Sequence, residues 1–124
     1  MNDLVNEHCV RLRKDSRKVT AAELREFLPR IPEWKIVQRK RVKQLQRVFK
    51  FKDFAQALAF TNEVGKIAEA EDHHPALLTE WGRVTVNWWA HIIKGLHRND
   101  FIMAAKTDEI YMELQGARAK AQAG

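Results

Sequence analysis

Apolar positions along this chain alternate between helical and extended spacing, and the alternation predicts an order of elements. Residues 1–18 are polar and basic with few apolar anchors, and read as a loosely ordered lead-in. The first sharp signal is Val19-Thr20-Ala21-Ala22-Glu23-Leu24. Thr20 and Glu23 have capping-box spacing, with Val19 and Leu24 where a hydrophobic staple needs them. The helix that follows shows Leu24, Phe27 and Leu28 on one face and stops at Pro29; Pro32 marks a turn. Residues 34–38 and 42–51 then read as strands joined by the basic Arg39-Lys40-Arg41. In the second, Leu45, Phe49 and Phe51 recur at period two, with Arg47 interrupting the same face.

Asp53 is placed to cap a second helix, with Gln56 three residues later. Its apolar stripe is Phe54, Leu58, Thr61, Gly65 and Ala68, widened by Phe60, Val64 and Ile67, as for a helix lying on a sheet. Pro75 disfavours helical geometry at His74, so this helix ends before it. Residues 77–81 and 83–90 read as strands around a turn at Gly82. Along the latter, Val84, Val86, Trp88 and Ala90 share one face, and Thr85, Asn87, Trp89 and His91 the other. A last helix runs from Asn99 or Asp100 to Gln115. The expected fold is α+β: a four-stranded, mainly antiparallel sheet with three helices packed on one face. Residues 19–116 form a single domain in this reading, and residues 117–124 a frayed tail.

Composition excludes several classes. At 45% apolar and 31% charged, 124 residues suffice for one core. No apolar run approaches the roughly 20 residues of a membrane span, so no membrane is expected. Acidic Asp3 and Glu7 and the missing h-region argue against a signal peptide. The single cysteine, Cys9, makes no intramolecular disulfide. The expected setting is a reducing cytoplasm. Charge is uneven: residues 1–50 hold 14 Lys/Arg against 6 Asp/Glu, a net +8, while the remainder is −2. The basic residues are scattered and no nucleic-acid motif accompanies them, which argues against nucleic acid as a partner.

Candidate chemistry concentrates between Glu69 and Asp100, which holds four of the five histidines and three of the four tryptophans. Glu69 and His73 are four apart, so on a continuing helix the carboxylate would orient the imidazole. His73 and His74 stand at the helix exit, His91 at a strand end and Asp100 at a helix start. Element ends are where pockets form. The residues alone leave three readings open: solvated surface histidines, a metal site using Glu69, His73, His74 or His91, or proton transfer by several imidazoles. Nucleophilic catalysis is poorly supported, because Cys9 lies in the lead-in and no serine is near.

Glu69-x3-His73-His74-Pro75, His91 seventeen residues after His74, then Gly95-Leu96 and Asp100, resembles the pterin-4a-carbinolamine dehydratase family, in its bacterial form associated with phenylalanine hydroxylase. Phe49-x-Phe51-x-Asp53-Phe54 and the Phe60 helix extend the resemblance over residues 20 to 112. It implies dehydration of a 4a-hydroxytetrahydropterin to quinonoid dihydropterin and water, with no metal and no cofactor. It implies His73 and His91 as acid/base groups and His74 as the residue that binds and orients the pterin. Glu69 would then orient His73, Asp100 would support His91 or the pocket, and Trp89 would stack on the pterin or wall the pocket. Trp88, on the valine face, reads as core. His97 stands where many relatives have Ser or Thr; this shifts the expected cap to Asn99 or Asp100 and leaves His97 without a role, as is His8. A homodimer or homotetramer is implied, as is a functional link to phenylalanine hydroxylase. The alternative is a dimerisation or coactivator-type protein-binding module without turnover.

Overall fold

The computed structural model describes residues 3–123, with side chains to residue 117. Four antiparallel strands, β1 (Lys35–Arg39), β2 (Val42–Lys50), β3 (Ala76–Glu80) and β4 (Arg83–Trp88), form one sheet in the order β1-β2-β4-β3. The helices are α1 (Ala21–Phe27), α2 (Phe54–Glu71) and α3 (Arg98–Ala123). Element order and fold class are those expected from the sequence.

Local chemistry accounts for most boundaries. Thr20 and Glu23 close the expected capping box reciprocally, at 3.1 and 2.9 Å, satisfying two N–H groups at the start of α1. Beyond Phe27 the chain tightens into a 3-10 turn, Leu28–Arg30, because Pro29 has no N–H to give. Asp53 Oδ1 accepts the Gln56 N–H at 2.9 Å and caps α2. At the other end, Asp72 adopts left-handed geometry (φ 52°), and the His73 N–H reaches back to the Ala68 carbonyl. The chain therefore leaves α2 sharply, before Pro75.

The core lies between the sheet and the helices. Phe49, Val84, Val86 and Trp88 rise from the sheet, Phe60 and Val64 from α2, and Phe101, Ile102 and Met103 from α3, all buried. Burial of each large side chain is worth about 2–3 kcal/mol. Trp88 is fully buried, as expected, and its indole N–H donates to Thr107 at 3.1 Å. Arg47, which breaks the apolar face of β2, pairs with Asp108 at 2.6 Å and lies over the Phe49 ring. Asp108 also accepts the Trp34 indole N–H at 2.8 Å. The interruption is a bridge from sheet to α3.

Three expectations are corrected. The buried stripe of α2 is Ala57, Phe60, Val64 and Ala68, while Phe54 and Leu58 are exposed. The sequence offers two apolar stripes, and the sheet takes the one centred on Phe60. Helix α3 runs to Ala123, beyond the expected end at Gln115; the side chains of residues 118–124, within the expected tail, lie outside the described residues. The segment expected to be a loose lead-in is instead fastened. Leu4 is fully buried, Glu7 forms a two-pronged pair with Arg98 at 2.7 and 2.6 Å, and Lys106 donates to the Val5 carbonyl. Among the described residues no helix is long and apolar enough to cross a membrane.

Candidate active site

The abrupt exit from α2 sets the positions of the first two histidines. Because Asp72 is left-handed, His73 turns inward and His74 outward. His73 is 6% exposed; its ring lies parallel to the Trp88 indole at 5.9 Å, and its Nε2 meets Asp100 Oδ1 at 2.6 Å. His74 is half-exposed, and its Nε2 meets Glu69 Oε2 at 2.5 Å. His91, just beyond β4, is exposed; its Nε2 donates to the His74 carbonyl at 3.0 Å and its ring packs on Trp89 at 4.3 Å.

These contacts redistribute the expected roles. Glu69 orients His74 and not His73, since the helix ends before the i, i+4 pair can form. Asp100 holds His73 and not His91. Trp89 backs the His91 ring. His97, expected to leave the capping to Asn99 or Asp100, is itself the cap of α3: its Nδ1 accepts the Asn99 N–H at 3.0 Å, and Asp100 Oδ2 accepts the His97 N–H at 2.9 Å. The two bonds are reciprocal, as in a capping box, but imidazole replaces hydroxyl and accepts from the N2 amide where a capping box uses N3. Burial lowers the His97 pKa from its ordinary 6.5, partly offset by Asp100, which keeps the ring in the neutral form that can accept.

All three site imidazoles are thus anchored through Nε2. A backbone carbonyl only accepts, so His91 Nε2 carries hydrogen, and its Nδ1 remains for proton exchange. Nδ1 of His73 and of His74 likewise has no partner among the described residues. The rings border a cavity of about 620 Å³. Asp100, fully buried, has its pKa raised by desolvation; the hydrogen bonds from His73 and the His97 amide oppose this. Among the described residues no three His, Cys, Asp or Glu side chains are grouped to hold a metal ion.

The far wall of the cavity is the segment Cys9 to Leu12, together with Glu71 and Asp72. Glu71 fastens it, accepting from His8 Nδ1 and from the Cys9 N–H, both at 2.7 Å. Burial alone would raise the Glu71 pKa, but these bonds hold it below the ordinary carboxylate range. Asn99 pairs with both backbone groups of Val10, at 3.1 and 2.8 Å. Burial, with Glu71 and Asp100 nearby, pushes the Cys9 thiol up to about 12, far from a nucleophile. No pattern in the sequence announces this wall, because it joins residues more than 60 positions apart.

A family model described as pterin 4 alpha carbinolamine dehydratase matches residues 17–110, which include every histidine of the cavity. The chain belongs to this family. A solved structure described as transcriptional coactivator/pterin dehydratase from Brucella melitensis is 32% identical, covering 77% of this chain and 99% of that one, with TM-score 0.68. A second, described as a pterin dehydratase-like protein identified as a RuBisCO assembly factor in the alpha-carboxysome, is 20% identical. It covers 64% of this chain and 89% of that one at TM-score 0.54, and shares the fold. The match begins at residue 17, so the Cys9–Leu12 wall lies outside it.

Proposed function

We propose that this pterin dehydratase family member removes water from 4a-hydroxytetrahydropterins by histidine acid–base catalysis. The observation that carries the reading is the arrangement of His73, His74 and His91 around one cavity, each anchored through Nε2 with Nδ1 left over. Hydroxide is a poor leaving group. A protonated imidazole gives its proton to the 4a-hydroxyl as the C4a–O bond breaks, and water departs. Loss of the N5 proton to a neutral imidazole or to water completes the N5=C4a bond, so charge and atoms balance. Positioned proton transfer of this kind is worth about 10²–10⁴-fold.

In this reading His73 and His91 exchange protons from different sides of the cavity, and His74 binds and orients the pterin. Glu69 positions His74, and Asp100 positions His73. No cofactor takes part. The substrate comes from an aromatic amino acid hydroxylase, with phenylalanine hydroxylase as the partner enzyme, and the chain works as a homodimer or homotetramer. The test is the decay of freshly generated 4a-hydroxytetrahydropterin followed by absorbance, with chelator-treated protein. Acceleration over buffer supports the reading. An inactive protein that retains its fold and co-purifies with a protein partner would instead make the chain a binding module.

A further inference from the structure

Of the basic residues in the first half of the chain, Arg11 lines the histidine cavity, and three others meet elsewhere. Lys18, Arg41 and Lys43 line, with Lys94, Leu24 and Leu96, a separate recess of about 250 Å³. These cations come from the segment before α1, the β1–β2 turn, β2 and the loop before α3. No acidic residue lines the recess. Among the described residues none of the four side chains makes an ion pair or hydrogen bond. Arg30, Arg47, Arg83 and Arg98, by contrast, each meet a carboxylate.

The recess is shaped by its backbone. Lys40 and Arg41 form a two-residue hairpin turn with φ of 50° and 66°, and Lys94 has φ 51°. Left-handed geometry favours Gly or Asn, and each other residue there costs about 1 kcal/mol. Two of the four cations, Arg41 and Lys94, therefore stand where glycine would fit better. Gly95, whose own φ is not left-handed, serves differently: a Cβ at Gly95 would lie 2.8 Å from Cδ and Cε of Lys18. The absence of a side chain lets the Lys18 stem lie across this backbone. The Val19 N–H donates to the Leu96 carbonyl at 2.8 Å and fixes that crossing.

Four unpaired cations around one recess repel one another, and an anion placed among them removes the repulsion. We propose that this recess binds a small polyanion of the phosphate class, carrying two or more phosphoryl groups. Ammonium groups carried by separate segments suit the spread charge of such a ligand, and the guanidinium of Arg41 adds a forked donor. The site is separate from the histidine cavity and independent of the reaction proposed for it.

Calorimetric titration with inorganic pyrophosphate at low salt, with amide shifts recorded in parallel, tests the proposal on the full chain. One saturable site is expected, with shifts at Lys18, Val19, Arg41 to Lys43 and Lys94 to Leu96. The Arg41→Gln/Lys94→Gln variant should bind at least about tenfold more weakly, the scale of one lost charge-assisted contact. Gly95→Ala should also weaken binding by displacing Lys18, while Lys50→Gln/Lys66→Gln, charge-matched and remote, should bind as wild type. Circular dichroism checks that each variant is folded. Absence of saturable binding, or equal weakening in the remote variant, overturns the site. Tighter binding of a short single-stranded oligonucleotide, with shifts spreading to Arg11 and Arg13, overturns it in favour of a nucleic-acid surface.

Discussion

The Asp100 carboxylate serves two donors at once: Oδ1 lies 2.6 Å from His73 Nε2, and Oδ2 accepts the His97 backbone N–H at 2.9 Å. The start of α3 and the orientation of the buried imidazole therefore depend on one side chain. Asparagine has a single acceptor oxygen and cannot satisfy both donors. Asp100→Asn is expected to lower stability by about 1–3 kcal/mol and kcat by at least about tenfold. Urea denaturation and steady-state kinetics read the two effects separately, and an unchanged kcat would show that His73 needs no such anchor.

Glu69 and His74 form an exposed pair, so their contact contributes to binding geometry more than to folding. Glu69→Gln should leave stability within about 0.5 kcal/mol of wild type. Substrate KM should rise while kcat changes less, because the variant loses the charge that holds the orienting ring. A fall in kcat with KM unchanged would instead place Glu69 in the proton-transfer step.

Glu71 ties the Cys9–Leu12 wall to the end of α2. Glu71→Ala removes acceptors for His8 and the Cys9 N–H and should cost about 1–2 kcal/mol. Hydrogen exchange should quicken at Cys9 and Val10 and stay slow in β2 and β4. The wild-type Cys9 thiol, with its pKa near 12, should resist alkylation at pH 8 and react in the Glu71→Ala variant or on unfolding. Equal alkylation rates in folded and unfolded wild type would contradict the fastened wall.

The His97 cap makes α3 pH-sensitive. Its folded pKa lies below the ordinary 6.5, so the unfolded chain takes up this proton first. The stabilisation is complete above about pH 6.5 and is lost as pH falls toward the folded value. His97→Asn keeps a side-chain acceptor at the cap without the titration. Thermal unfolding between pH 7.5 and 5.5 should show a smaller fall in Tm for the variant. An equal fall in both proteins would locate the pH dependence elsewhere.

What the sequence revealed depended on the range of each interaction. Thr20 with Glu23 and Asp53 with Gln56 act within one helical turn, and strand alternation in β4 is local, so element order and caps were readable. Pairings across a break were not. Glu69 matches His73 only on a helix that continues, and left-handed Asp72 turns His74 to the carboxylate instead. An imidazole cap falls outside the usual Ser, Thr, Asp and Asn, which hid the part played by His97. The Cys9–Leu12 wall depends on contacts between distant segments, and two apolar stripes on α2 left its inward face to be decided by the sheet.

The most direct measurement is single-turnover dehydration of 4a-hydroxytetrahydropterin by wild type, His74→Ala, His91→Ala and the double variant, with folding verified for each. Acid–base catalysis at this cavity predicts a rate well above buffer for wild type. Each single variant should lose at least about tenfold, and the double variant should approach the buffer rate. Undiminished turnover in a folded double variant would contradict the assignment of these imidazoles.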